Sequence, residues 1–106
     1  MLNEPTSERQ FIMYEALRKG ADIDDLYARA WHAYYEAYAP TQALQLTQNL
    51  LDREDLVPEE RTRALLLQAV CQVSLGRERA ARESVDRIMA IDPDYRMEVA
   101  RVPPAL

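Results

Sequence analysis

The chain reads as an all-α protein of about five short antiparallel helices, stacked as helical hairpins. Three observations carry that reading. Apolar residues recur at i, i+3, i+4 and i+7 in several windows, the spacing of one helix face, and no window alternates apolar with polar as a half-buried strand does. Gly20, Gly76, Pro40, Pro58 and Pro93 stand between those windows, where helices stop. Residues 62–95, TRALLLQAVCQVSLGRERAARESVDRIMAIDPDY, hold two amphipathic patterns divided by Gly76. Two helices joined by so short a turn must lie antiparallel.

Taken in order, residues 1–6 form a polar lead-in. Ser7 with Gln10 fits a capping box, so helix one is expected over Glu8–Lys19, with Phe11, Ile12, Ala16 and Leu17 inward. Arg18 and Lys19 suit its last turn, and Gly20 ends it. Asp22 or Asp24 then caps helix two, DLYARAWHAYYEAY. Tyr27, Ala30, Trp31, Tyr34 and Tyr38 share its packing face, whereas His32 and Tyr35 fall in another sector and are surface candidates. Pro40 breaks that pattern. Helix three is TQALQLTQNLLDRED, with Ala43, Leu46, Leu50 and Leu51 inward.

After the loop Asp55–Pro58, helix four starts at Glu59 with acids in its first turn. Its stripe is Leu66, Val70 and Val73, flanked by Leu65 and Ala69, and Gly76 closes it in the left-handed conformation that glycine adopts at no steric cost. Helix five packs through Ala81, Val85, Ile88 and Met89, and ends before Pro93, because proline pushes its predecessor out of the helical region. Residues 96–106 form a tail or linker, in which Val99 and Val102 are placed to lie back along the last hairpin, and Pro103-Pro104 cannot be helix interior.

The totals narrow the function. A chain of 106 residues is one domain with one modest core. A formal charge of −5, with the bases interspersed among acids, argues against a phosphate-backbone ligand, so no nucleic-acid partner is expected. The N-terminal MLNEPTSERQ lacks the apolar run of a signal peptide, and no stretch approaches the ~20 apolar residues of a membrane span. Cytoplasmic localisation is the default.

Catalysis finds no constellation to stand on. Cys71 is the only cysteine and lies among Ala69, Val70 and Val73, where it reads as a small buried hydrophobe; His32 is the only histidine. No metal-ligand spacing and no glycine-rich phosphate loop is present, so neither a metal nor any other cofactor is expected. The acidic pairs Asp24-Asp25, Glu54-Asp55 and Glu59-Glu60 lie at helix starts and loops, where capping and solvation account for them. The chain is therefore expected not to be an enzyme.

The stretch 62–95 has the length of a tetratricopeptide repeat and resembles that family at several positions. Ala69 stands where the first helix carries a small residue, Gly76 at the turn, Ala81 and Val85 at the small and bulky positions of the second helix, and Ile91-Asp92-Pro93 at the close. Gln68, Gln72 and Ile88 depart from the pattern. Residues 24–57 resemble a second, degenerate repeat, with Tyr34 and Ala43 in family positions, and Ala39-Pro40 replacing the turn glycine. Helix one is then an N-terminal cap within a domain over residues 1–95.

The resemblance implies a protein or peptide partner, held in a groove lined by helices two and four. Arg29, His32, Tyr35 and Glu36 would line it from one side, and Arg63, Leu66, Leu67, Val70 and Ser74 from the other. On that map the apolar side chains receive apolar anchors, while Arg29 and Arg63 pair with a carboxylate or phosphorylated group. The bland alternative is that helix one folds over these residues. Two further readings share the fold. One is a small secretion chaperone, because the segment from Leu26-Tyr27 to Ala43 loosely resembles type III secretion chaperones. The other is a structural homo-oligomerisation domain, because a short repeat array exposes apolar ends.

Overall fold

The first helix, α1, runs unbroken over Glu4–Tyr35, where the sequence pattern predicts two helices. The structure is a computed structural model that describes residues 4–96, with side chains for 10, 12–14 and 19–96. Gly20 lies inside α1 at a helical φ, not at its end, and a Cβ built there meets nothing within 4 Å. A lone glycine in a helix interior costs about 1 kcal/mol relative to alanine, which lowers stability without forcing a stop. The apolar spacing also carries through it: Ile12, Ala16, Gly20, Ile23 and Tyr27 recur at three or four residues. Ile23 is buried against Leu50 and Ala64, so tertiary packing is in place one turn past the glycine. The expected caps Ser7, Asp22 and Asp24 are therefore helix-interior residues. The expectation for Val99 and Val102 falls outside the described residues.

Three further helices follow among the described residues: α2 over Pro40–Leu51, α3 over Pro58–Ser74 and α4 over Glu78–Ile91. Both α2 and α3 begin on a proline. Proline suits a first helical position because its missing N–H would be unpaired there and its fixed φ is already helical. Pro40 thus starts α2 rather than merely ending the element before it. Glu60 reaches back to accept the Val57 N–H at 3.0 Å. At the other end of that loop, Arg61 donates to Leu51 O at 3.3 Å, a carbonyl that the end of α2 leaves open, and to the loop carbonyl of Arg53 at 3.1 Å.

Gly76 closes α3 as the sequence predicts. Its φ is +75°, its N–H donates to Val73 O at 3.0 Å, and the Arg77 N–H donates to Gln72 O at 2.8 Å, the paired bonds of a Schellman motif. The turn between α1 and α2 has no glycine. Tyr38 takes the left-handed conformation in its place, at φ 53°. Asp92 ends α4, accepting the Asp94 N–H on its side chain at 3.1 Å and the Tyr95 N–H on its carbonyl at 3.0 Å.

The helices stack in chain order, α1 on α2, α2 on α3, α3 on α4, and α3 also touches α1. Being central, α3 is buried on most of its circumference: Ala64, Leu65, Leu67, Ala69 and Cys71 all lie in the core. Two sequence expectations change as a result. Val73 is 61% exposed rather than part of a packing stripe, and Leu67 is only 3% exposed. On α2, Ala43 and Leu50 are buried as predicted, while Leu44 and Thr47 join them. Burial of Thr47 is tolerated because its hydroxyl donates to Leu44 O at 2.7 Å. Residues Gln68 and Gln72, out of place in the sequence pattern, are buried against Ser84 of α4.

Candidate interaction groove

The C-terminal half of α1 and the length of α3 lie side by side and leave a cleft between them. Tyr27 and Tyr35, about two helical turns apart, form its α1 wall, and Arg63, Leu66 and Val70 its α3 wall. Leu67 and the buried Trp31 close the base, Glu59, Asp92 and Tyr95 stand at one end, and the cavity measures about 350 Å³. At the other end it continues past Tyr34, Tyr38, Pro40 and Ser74 in a wider depression of about 730 Å³.

The aromatic side chains hold one another. Trp31 and Tyr35 have ring centroids 4.6 Å apart, and Tyr35 meets Tyr34 edge-on at 4.7 Å. Such pairs add about 0.5–1.5 kcal/mol beyond area burial and fix ring orientation. The Tyr34 and Ser74 hydroxyls share a hydrogen bond of 2.5 Å, which ties α1 to the last turn of α3. A second tie lies toward the other end. Arg63 stacks over the Tyr27 ring at 4.2 Å and donates through Nη2 to Asp24 Oδ1 at 3.0 Å. Burial raises the Tyr27 phenol above its ordinary pKa, with the Arg63 charge opposing that shift.

This geometry divides the residues expected to form the site. Tyr35, Arg63, Leu66 and Val70 converge on the cleft, and Ser74 borders its wider end. Leu67 contributes only to the base, since its side chain belongs to the core. Arg29, His32 and Glu36 do not join them. They lie on the opposite side of α1, around a shallow depression shared with Gln42 and Leu46 of α2. The reason is angular: a helix turns ~100° per residue, so residues 29, 32 and 36 face away from 27, 31 and 35. There Arg29 pairs with Asp25 at 3.0 Å, His32 Nδ1 bonds the Glu36 carboxylate, and the His32 ring meets Trp31 edge-on.

Tyr27 and Trp31 read from sequence as core residues, Glu59 as a first-turn acid and Asp92 as part of the closing Ile91-Asp92-Pro93, while Tyr95 has no role in that reading. The i, i+4 spacing of Tyr27, Trp31 and Tyr35 was the one signal for the α1 side, and nothing in the sequence pointed to Glu59, Asp92 and Tyr95. The expectation that Arg29 and Arg63 await an acidic ligand meets a physical obstacle, because each is already paired with an aspartate of α1.

Cys71 is buried, and burial pushes its thiol up to about 12, far from a reactive thiolate. No group of three or more His, Cys, Asp or Glu side chains converges among the described residues. None of the described helices is long and apolar enough to cross a membrane. Comparison with protein-family models, with curated proteins and with solved structures returns no match.

Proposed function

We propose that this chain is a non-catalytic protein–protein interaction module of the tetratricopeptide type, an adaptor or scaffold that holds a peptide or partner segment between α1 and α3. The observation that carries this reading is the cleft itself. Half-exposed apolar side chains from two helices that touch only lightly face one another across it: Tyr27 and Tyr35 on one wall, Leu66 and Val70 on the other. Apolar surface in a concavity, rimmed by Arg63, Glu59 and Asp92, is the usual form of a binding site.

The test is capture of a partner from the native lysate by wild type and by a Leu66→Glu/Val70→Glu variant, with helicity checked by circular dichroism. Both side chains are half-exposed, so the variant is expected to fold and to lose its partner. Arg29→Glu, on the far side of α1, serves as the control and is expected to bind normally. A folded Leu66→Glu/Val70→Glu variant that binds as wild type does would refute the groove.

A second reading, a structural homo-oligomerisation domain, is favoured by a different surface. Ile12, Met13 and Tyr14 on the N-terminal half of α1 are 66%, 60% and 62% exposed. Most of a helix's stability in a protein comes from packing an apolar face, and a second copy would supply that packing here. Light scattering at micromolar concentration decides it: a dimer that Ile12→Glu dissociates supports it, and a monomer at every concentration excludes it.

A further inference from the structure

We infer that, on the oligomerisation reading just given, the N-terminal half of α1 seats in an apolar groove between α3 and α4 of a second copy of this chain. That groove is a depression of about 630 Å³. Ala69 and Ala81 are buried on its floor, and the exposed Val73 and half-exposed Val70 and Val85 line it.

The fold itself indicates what such a face receives. Ala43 is the fourth residue of α2 and Ala81 the fourth of α4, and both are buried, so the two helices correspond position by position from there. On α2 the next residue, Leu44, is buried in one cluster with Leu67 and Cys71 of α3, the third helix that the α1/α2 hairpin takes. On α4 the counterparts of Leu44 and Thr47 are Arg82, which is exposed, and Val85, which is half-exposed, and both line the groove. Among the described helices, α4 packs on α3 alone. The groove thus lacks the helix that its counterpart holds, and helical walls offer an extended strand no free main-chain edge.

The chain carries a helix to fill it. Ile12 and Met13 of α1 are exposed and together span ~100° of the helix surface, the width of an apolar stripe. Among the described residues, the buried ones of α1 begin only at Ile23. The same molecule cannot bring the two together. Tyr34 borders the groove, and Ile12 lies ~33 Å from Tyr34 along the unbroken axis of α1. The groove follows α4 for only ~12 Å, from Glu78 to Asp86. Its occupant is therefore α1 of another copy, in a head-to-tail contact where each chain offers one helix and one groove.

The test is sedimentation of the full chain at micromolar concentration with two variants, both substituted at exposed positions and both checked for helicity by circular dichroism. Ile12→Glu/Met13→Glu spoils the helix, and Val73→Glu spoils the groove. Each alone is expected to raise the dissociation constant at least tenfold, since each places a charge where an apolar side chain is buried. An equimolar mixture is expected to recover a one-to-one complex, because the intact α1 of the Val73→Glu chain meets the intact groove of the other. Association that survives Val73→Glu, or a mixture that stays monomeric, overturns the inference and leaves the oligomerisation reading standing. A wild-type monomer at every concentration, or association that survives Ile12→Glu/Met13→Glu, removes both.

Discussion

The Ser84 hydroxyl of α4 donates to Gln72 Oε1 of α3 at 2.7 Å, inside an interface where both side chains are buried. Gln68 Oε1 lies 3.1 Å from the same hydroxyl. A buried polar group that loses its partner costs about 1–3 kcal/mol. Ser84→Ala is therefore expected to destabilise the chain by about that amount in urea denaturation. The triple variant Ser84→Ala/Gln68→Leu/Gln72→Leu, which removes every polar group of the cluster, should regain most of the loss. Additive losses would mean that the cluster does not act as a unit.

Two turns hold a residue at positive φ, and the residue types predict opposite responses. Gly76 sits at +75°, so Gly76→Ala should cost about 1 kcal/mol. Tyr38 sits at φ 53° with little packing to lose, so Tyr38→Gly should stabilise by about 0.5–1 kcal/mol. Thermal melts of both variants check the pair. If Tyr38→Gly loses stability, the tyrosine ring contributes more at that turn than its exposure implies.

A third variant tests the continuity of α1. Since a Cβ at Gly20 meets nothing within 4 Å, Gly20→Ala should raise stability by about 0.5–1 kcal/mol and slow amide exchange on both sides of the position. A chain that truly divides into two helices at Gly20 would lose stability instead.

Cys71 predicts a pH dependence. Its thiol is raised from 9.0 to about 12 in the folded chain. A group whose folded pKa is raised contributes stability that is complete below the unfolded value and declines as pH rises above it. Stability should thus fall from about pH 9 upward, and Cys71→Ala should flatten that fall relative to wild type. The Tyr27 and Tyr95 phenols, also raised by burial, act in the same direction and leave a residual slope. At pH 8 a thiol reagent should label Cys71 only as fast as the chain opens. Prompt labelling of the native protein would contradict its burial.

Much of the fold was legible because stop signals and apolar periods agreed. The Gly76 turn, the ends of α3 and α4, and the burial of Ala43, Ala69, Ala81 and Ile88 all follow from local pattern. The errors arise where tertiary context outvotes it. Gly20 is a weak stop signal, since a glycine inside a helix costs only about 1 kcal/mol, and Ile23 packs one turn beyond it. α3 has neighbours on three sides, so periodicity marks an apolar face without saying which neighbour takes it, and Leu67 and Val73 exchanged the burial expected of them. The cleft was half legible for the same reason. Its α3 wall was largely foreseen, whereas the α1 wall was displaced by about a third of a turn, enough to exchange Tyr27 and Trp31 for Arg29 and His32.

The unbroken α1 also links two parts of the molecule. Its 32 residues make a rod ~48 Å long without a hinge. The segment from Ile23 onward is anchored in the core and forms one wall of the cleft, while Ile12, Met13 and Tyr14 are exposed. The same continuous helix thus carries both the exposed Ile12–Tyr14 stretch and the residues that the Arg63–Asp24 ion pair and the Tyr34–Ser74 hydrogen bond tie to α3.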